Sequence, residues 1–271
     1  MKVAVIGNDA YLARNLQNVF ISDDVMSFPR LDYVDKEEIK RFDAVINFTI
    51  QPEFSCKTLS QDELLDVKLA RMIKGSETKL VMISSRKVDE IAETAPLQPL
   101  DAYAKNKAAA EKAIQRIIPG QSLIVRVANV LGEPVNRTGY KTFMGWISES
   151  ILTRGKLIVT ENPETRKDFI TRDYLQKALS VLIHKKVSGI INVGAGFALS
   201  LERLLTDIVG EEHIFFEGNV PPRDQFVLNV DRLHRFVSPF TPQELSDSCR
   251  RNRSVLMNYL KLHKEKAYAQ D

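Results

Sequence analysis

Tyr103 and Lys107 stand four residues apart in Asp101-Ala102-Tyr103-Ala104-Lys105-Asn106-Lys107, and on a helix that spacing puts both side chains on one face. A phenol beside an ammonium suits proton transfer, because the positive charge favours the ionised phenol. On an arbitrary helix such a pair is more often only a surface feature. Here an apolar run, Lys79-Leu80-Val81-Met82-Ile83, ends on Ser84-Ser85 about 20 residues upstream, and open α/β sheets gather their sites at strand carboxyl ends. The strand thus ends on a serine hydroxyl donor where such a site would form.

A second candidate lies at Gly7, which closes the run Lys2-Val3-Ala4-Val5-Ile6. A dinucleotide pyrophosphate needs a tight turn and backbone amides at a helix N-terminus. The fingerprint positions here are Gly7, Ala10 and Ala13, so the candidate cofactor turn of Gly7, Ala10, Tyr11 and Leu12 contains a single glycine. A structural turn that holds no nucleotide is the alternative. An NAD ribose calls for an acid about 20 residues on, at the end of the second strand. That strand ends Ser27-Phe28-Pro29-Arg30 without one, and Arg30 could meet a 2'-phosphate, which favours NADP(H) over NAD(H) unless the arginine is merely solvated.

These residues need elements to hold them. Apolar runs predict strands at 2–6, 25–28, 44–48, 79–83, 123–127 and 190–193, and helical spacing predicts helices at 10–20, 62–73, 101–118, 147–152 and 200–209. The alternation over the first ~130 residues predicts a doubly wound parallel sheet of Rossmann type. The rhythm then loosens through turn-rich stretches. The expected division is a cofactor domain of residues 1–132 with about 170–194, and a smaller substrate lobe of 133–169 and 195–271.

Composition excludes several other classes. The 271 residues are 44% hydrophobic, enough at about 150 residues per domain for one large core or two small ones without a staple. A balance of 38 basic to 35 acidic residues gives no reason to expect nucleic acid or an anionic membrane as partner. Cys56 and Cys249 match no zinc or disulfide spacing, and the histidines are scattered, so no metal is expected. No apolar run reaches the roughly 18 residues of a membrane span, and Met1 leads into a strand pattern, so the expected location is the cytoplasm. Glycine is scarce, 12 of 271, or about 4% against a usual ~7%, and the turn after Ile6 shares that scarcity.

The order of these segments resembles that of the extended short-chain dehydrogenase/reductases, the family of nucleotide-sugar epimerases, dehydratases and ketoreductases. Val3 to Gly7 is similar to its opening strand, Asp43 to Asn47 to a strand whose asparagine lies by the cofactor, Val81 to Ser85 to the strand with the catalytic hydroxyl, and Pro99 to Lys107 to the Tyr/Lys helix. Arg126 to Gly132 resembles its Arg-x-x-Asn-x-x-Gly segment, and Lys167-Asp168-Phe169-Ile170 with Asp173 resembles its Arg-Asp-Phe-Val element and the Asp that follows it. Val220 to Asn229 is similar to the dTDP-4-dehydrorhamnose reductase branch.

The resemblance implies hydride exchange between a nicotinamide and a nucleotide-activated sugar. Ser85, Tyr103 and Lys107 would be catalytic, with Lys107 also holding the ribose. Asn47 would line the cofactor and Asn129 the substrate, while Arg166, Lys167 and Arg223 would meet the substrate diphosphate. It also implies a possible homodimer. Family dehydratases follow the catalytic hydroxyl with an Asp-Glu pair; here Arg86-Lys87 follows Ser85. That departs from 4,6-dehydration and leaves reduction of a 4-keto sugar and reversible 4-epimerisation; the short second lobe and the similarity over Arg223 to Asn229 favour reduction, with 4-epimerisation as the alternative. A catalytically silent regulatory subunit that keeps the fold is the alternative of another class.

Overall fold

Strands buried on both faces read as continuous apolar runs, and such runs build the central sheet. The computed structural model describes residues 1–88, 93, 99–134, 142–218, 220–222 and 226–268, with 263–268 by their backbone alone. Along the chain come β1 (Lys2–Ile6), β2 (Asp24–Phe28), α1 (Lys36–Ile39), β3 (Ala44–Asn47), α2 (Leu65–Ile73), β4 (Lys79–Ser85), α3 (Ala102–Ile117) and β5 (Ser122–Val127). There follow β6 (Asn129–Leu131), α4 (Phe143–Arg154), β7 (Leu157–Val159), β8 (Arg166–Lys167), β9 (Phe169–Thr171), α5 (Arg172–His184) and β10 (Gly189–Val193). The last are β11 (Leu199–Ser200), α6 (Leu201–Val209), β12 (Ile214–Phe216), α7 (Asp231–His234) and α8 (Pro242–Tyr268).

The chain forms two units. The first comprises Met1–Ala128, Asp173–Val193 and Leu228–Ser238. Its six-stranded sheet has the order β10-β5-β4-β3-β1-β2, every pairing being parallel. This is the doubly wound, Rossmann-type sheet expected. Ala4, Ile6, Val45, Leu80, Met82 and Ile124 on the sheet pack with Val67, Leu69 and Ile73 of α2 and Ala110, Ala113 and Ile114 of α3. Leu228–Ser238, assigned to the lobe by the sequence reading, lies in this unit. There Asn192 Nδ2 donates to the Asn229 carbonyl at 3.0 Å, and Arg232 donates to the Ser188 carbonyl at 2.8 Å.

α3 forms because alanine dominates its interior and Asp101 caps it, accepting from the Ala104 amide at 2.7 Å. It ends before Pro119-Gly120, where Gly120 takes φ +74°.

The expected helix over residues 10–20 does not form. Residues 8–15 run through turns in which Ala10 N reaches Gly7 O at 2.9 Å, Ala13 N reaches Ala10 O at 2.9 Å and Leu16 N reaches Ala13 O at 3.0 Å. Only Leu16–Val19 close, as a 3-10 helix, after Asn15 has taken a left-handed φ of 61°. Ala10, Ala13, Leu16 and Val19 recur every third residue, a period that suits 3-10 turns rather than an α-helix.

The second unit comprises Asn129–Arg172, Gly194–Val227 and Pro239–Asp271. It pairs β6 with β9 and β7 with β12 in parallel, and β8 with β11 antiparallel. Asn252 of α8 is buried and donates to the Gly132 carbonyl at 2.6 Å. Trp146 on α4 is 37% exposed, with its ring 5.9 Å from that of Phe143. Among the described residues no helix is long and apolar enough to cross a membrane, and no group of three or more His, Cys, Asp or Glu could hold a metal.

Gly7 has φ +82°, and a Cβ there would lie 2.7 Å from Thr49 Cγ2 and 3.1 Å from Thr49 N. Gly7→Ala should therefore lower stability by at least about 1–2 kcal/mol from backbone strain alone, measured by urea unfolding. A change within error would mean that the turn relaxes freely.

Candidate active site

In an open parallel sheet, a ligand site forms at the carboxyl ends where the strand order reverses. Here β1 lies between β2 and β3, with Ile6 in register with both Phe28 and Asn47. Gly7, Asn47 and Ser85 consequently sit at the carboxyl ends of β1, β3 and β4. Asp23 and Asp24 belong to the opposite end, since Asp24 registers with Lys2 and Asp23 pairs with the Met1 ammonium at 2.9 Å. Arg30 follows β2, exposed and extended, at the start of a short 3-10 helix.

The centre of the arrangement is a buried polar group that the sequence reading did not single out. Asp66 on α2 accepts from Asn47 Nδ2 at 2.7 Å, and its second oxygen lies 3.7 Å from Lys107 Nζ. Asn47 Oδ1 in turn accepts from Thr49 N at 3.0 Å and Thr49 Oγ1 at 2.5 Å. The Lys107 ammonium also stands 5.1 Å from the centroid of Phe54, whose ring meets Tyr103 edge-on at 5.5 Å. Tyr103 and Lys107 thus share Phe54, with Tyr103 half-buried and Lys107 buried.

Phe54 is held in place from α3 itself. Asn106, fully buried, donates to the carbonyls of Phe54 and Lys57, each at 2.8 Å, and accepts from the Leu59 amide at 2.8 Å. One helix therefore carries the Tyr/Lys pair and the clamp that seats the aromatic ring against it. A signal for these residues exists in the sequence. Asp66 shares a helical stripe with Leu69, Ala70 and Ile73, and Asn106 with Ala110 and Ala113, so each is a polar residue on an apolar face.

The two serines differ in their commitments. Ser84 Oγ donates to Glu111 Oε1 at 2.5 Å, and Glu111 forms a buried ion pair with Arg126 at 2.8 Å. Ser85 is half-buried, and its Oγ accepts from the Lys87 amide at 3.3 Å. Arg86 is buried, while Lys87 pairs with Asp101 at 2.8 Å. Partial burial pushes the Asp101 carboxyl up, but the Lys87 ammonium and the Ala104 amide outweigh it, and its pKa falls below the usual carboxylate value.

In the second unit, Asn129 opens β6 and its Nδ2 donates to the Asp168 carbonyl at 3.1 Å. Arg166 donates to the Ala198 carbonyl at 2.7 Å, and Lys167 pairs with Glu161 at 2.5 Å. Asp168, fully buried, accepts from the Ala195 amide at 2.8 Å. Arg223 lies outside the described residues.

An ammonium, a phenol and a hydroxyl stand at this end of the sheet, the kinds of donor that the ribose and reacting end of a nicotinamide nucleotide would call for, while the Lys107 ammonium itself is 3% exposed between Asp66 and Phe54. At the pyrophosphate end, Gly7, Ala10, Tyr11 and Leu12 offer tight turns in place of an α-helix N-terminus.

A doubly wound parallel sheet is a common nucleotide-binding architecture, and what a given chain does with it depends on its site. The profile of the NAD dependent epimerase/dehydratase family matches residues 8–194, and the chain belongs to that family. Among solved structures it is similar to a UDP-N-acetylglucosamine 4-epimerase from Methanobrevibacter ruminantium M1, with TM-score 0.78, 17% identity, and 95% of this chain and 98% of that one covered. It is similar to a UDP-glucuronic acid 4-epimerase from Bacillus cereus in complex with NAD, with TM-score 0.77, 14% identity, and 96% and 99% covered. A dTDP-4-dehydrorhamnose reductase from Clostridium acetobutylicum gives TM-score 0.72, 16% identity, and 95% and 100% covered. At such identities the likeness speaks for the fold. No curated protein matches the sequence significantly.

Because its folded pKa is lowered, Asp101 contributes stability that is present above the unfolded value of about 3.9 and lost as pH falls through the folded value. Asp101→Ala should cost about 1 kcal/mol through loss of the cap and flatten this part of the acid unfolding profile. An unchanged profile would remove Asp101 from the account of the start of α3.

Proposed function

We propose that this chain is an NAD(P)-dependent oxidoreductase that reduces a 4-keto sugar carried on a nucleotide. The observation that supports it most is the placement of Tyr103 and Lys107 one helical turn apart on α3, with Ser85 ending β4 at the same side of the sheet. A bound reduced nicotinamide would supply the hydride that the carbonyl carbon accepts. Tyr103 gives its phenolic proton to the carbonyl oxygen, which becomes the alcohol. Ser85 donates a hydrogen bond to that oxygen as negative charge develops. Lys107 holds the ribose hydroxyls and keeps positive charge beside the phenol.

Reduction is preferred to dehydration because no acidic pair follows Ser85. Arg86 is buried there and Lys87 is occupied with Asp101. Asn47, Gly7, Ala10, Tyr11 and Leu12 are proposed cofactor contacts, with Arg30 favouring a 2'-phosphate. Asn129, Arg166, Lys167 and Arg223 are proposed substrate contacts. Reversible 4-epimerisation uses the same Ser, Tyr and Lys and is the neighbouring reaction.

A second reading, a protein that keeps the fold and binds no nucleotide, is favoured by the absence of an α-helix after Gly7. The two readings separate on cofactor titration, because the silent protein binds neither NADPH nor NADH.

Tyr103→Phe should lower turnover of a 4-keto nucleotide sugar by roughly 10²–10⁴-fold, as expected on losing a proton donor, while NADPH affinity is kept. Turnover that survives the change would displace Tyr103 from its role. Arg30→Ala should weaken NADPH more than NADH, and equal weakening would refute the coenzyme preference.

A further inference from the structure

Asp66 stands where a helix normally places an apolar side chain. It is 3% exposed on the stripe that includes Leu69, Ala70 and Ile73, and burying a carboxylate is costly unless it is paired. Asn47 Nδ2 satisfies one oxygen with a hydrogen bond at 2.7 Å. The Lys107 ammonium lies 3.7 Å from the other, beyond hydrogen-bond length. Asp66 therefore acts on Lys107 as a counter-charge and leaves its N–H groups to other acceptors. Lys107 is 3% exposed, and the Phe54 ring beside it limits access of water, so the interaction is little screened by salt.

We propose that Asp66 tunes the balance between oxidised and reduced cofactor at this site, an inference that rests on the nucleotide-cofactor reading above. The oxidised nicotinamide ring carries a positive charge and the reduced ring carries none. A buried ammonium alone would bind the reduced form in preference and oppose departure of the hydride. The Asp66 carboxylate cancels much of that field, so the oxidised form is tolerated and hydride transfer to a carbonyl is easier. Asp66 is thus a positioning residue that acts through Lys107, not a group that touches the reacting atoms.

The test is to measure dissociation constants of the full chain for NADP⁺ and NADPH, and for NAD⁺ and NADH, by calorimetry. Asp66→Asn should raise the ratio of oxidised to reduced dissociation constants on the order of tenfold, the order of size expected for removal of one poorly screened unit charge. Asp66→Glu should restore most of the wild-type ratio, and Lys107→Met should shift it in the opposite direction. A purely structural Asp66 would weaken both forms equally and leave the ratio unchanged, which overturns the proposal. Should Asp66→Asn not fold alone, Lys107→Met compared with Lys107→Met/Asp66→Asn carries the test, and equal ratios in those two are equally contrary. A wild-type chain that binds none of the four nucleotides overturns the cofactor reading itself, an outcome distinct from binding with an unshifted ratio.

Discussion

A lysine ammonium taken out of water must find an opposite charge, and the buried contact between Lys107 and Asp66 meets that requirement. The rest of the site is arranged around it. Asn47 at the end of β3 bonds the same carboxylate, so strand, α2 and α3 meet in a single polar group. Phe54 covers the ammonium and touches Tyr103, and Asn106 fixes the Phe54 backbone from the helix that carries both. Asp66 is the member they share, so its loss would take a partner from the Asn47 amide and from the Lys107 ammonium together.

A second buried pair lies further along α3. Glu111 receives Ser84 and Arg126, whose strands β4 and β5 are in register at those residues. It fixes the helix against the end of β4, and with it the position of Ser85 relative to Tyr103. Charges spread along one helix thus serve as struts at two levels, with Lys107 above and Glu111 below. Such pairs add little net stability over apolar packing, but a single arrangement satisfies them all.

Much of this was legible in the residues. Continuous apolar runs marked the inner strands of the sheet, though not the largely exposed edge strand β2, alanine and Asp101 marked α3, and the Tyr/Lys spacing marked the face of α3 that meets Phe54. The helix over residues 10–20 was misread because a three-residue apolar period resembles a 3.6-residue one over so short a span. Asp66, Phe54 and Asn106 escaped because their roles depend on which elements meet, and no local pattern states that α2 packs against the Lys107 turn of α3. Polar residues on apolar stripes were the available clue. The scarcity of glycine gains a structural meaning in the same region, since the sole glycine of the turn, Gly7, is required by its φ and by Thr49, and the alanines beyond it sit in 3-10-type turns.

The central claim is that Tyr103, Ser85 and Lys107 complete a hydride transfer to a sugar carbonyl. The most direct measurement incubates the protein with a panel of 4-keto nucleotide sugars and NADPH carrying deuterium at both hydrogens of nicotinamide C4, followed by mass spectrometry of the product. The account predicts a reduced sugar nucleotide that carries the deuterium on the former carbonyl carbon. A panel returned unreduced, or a product without the label, would contradict it.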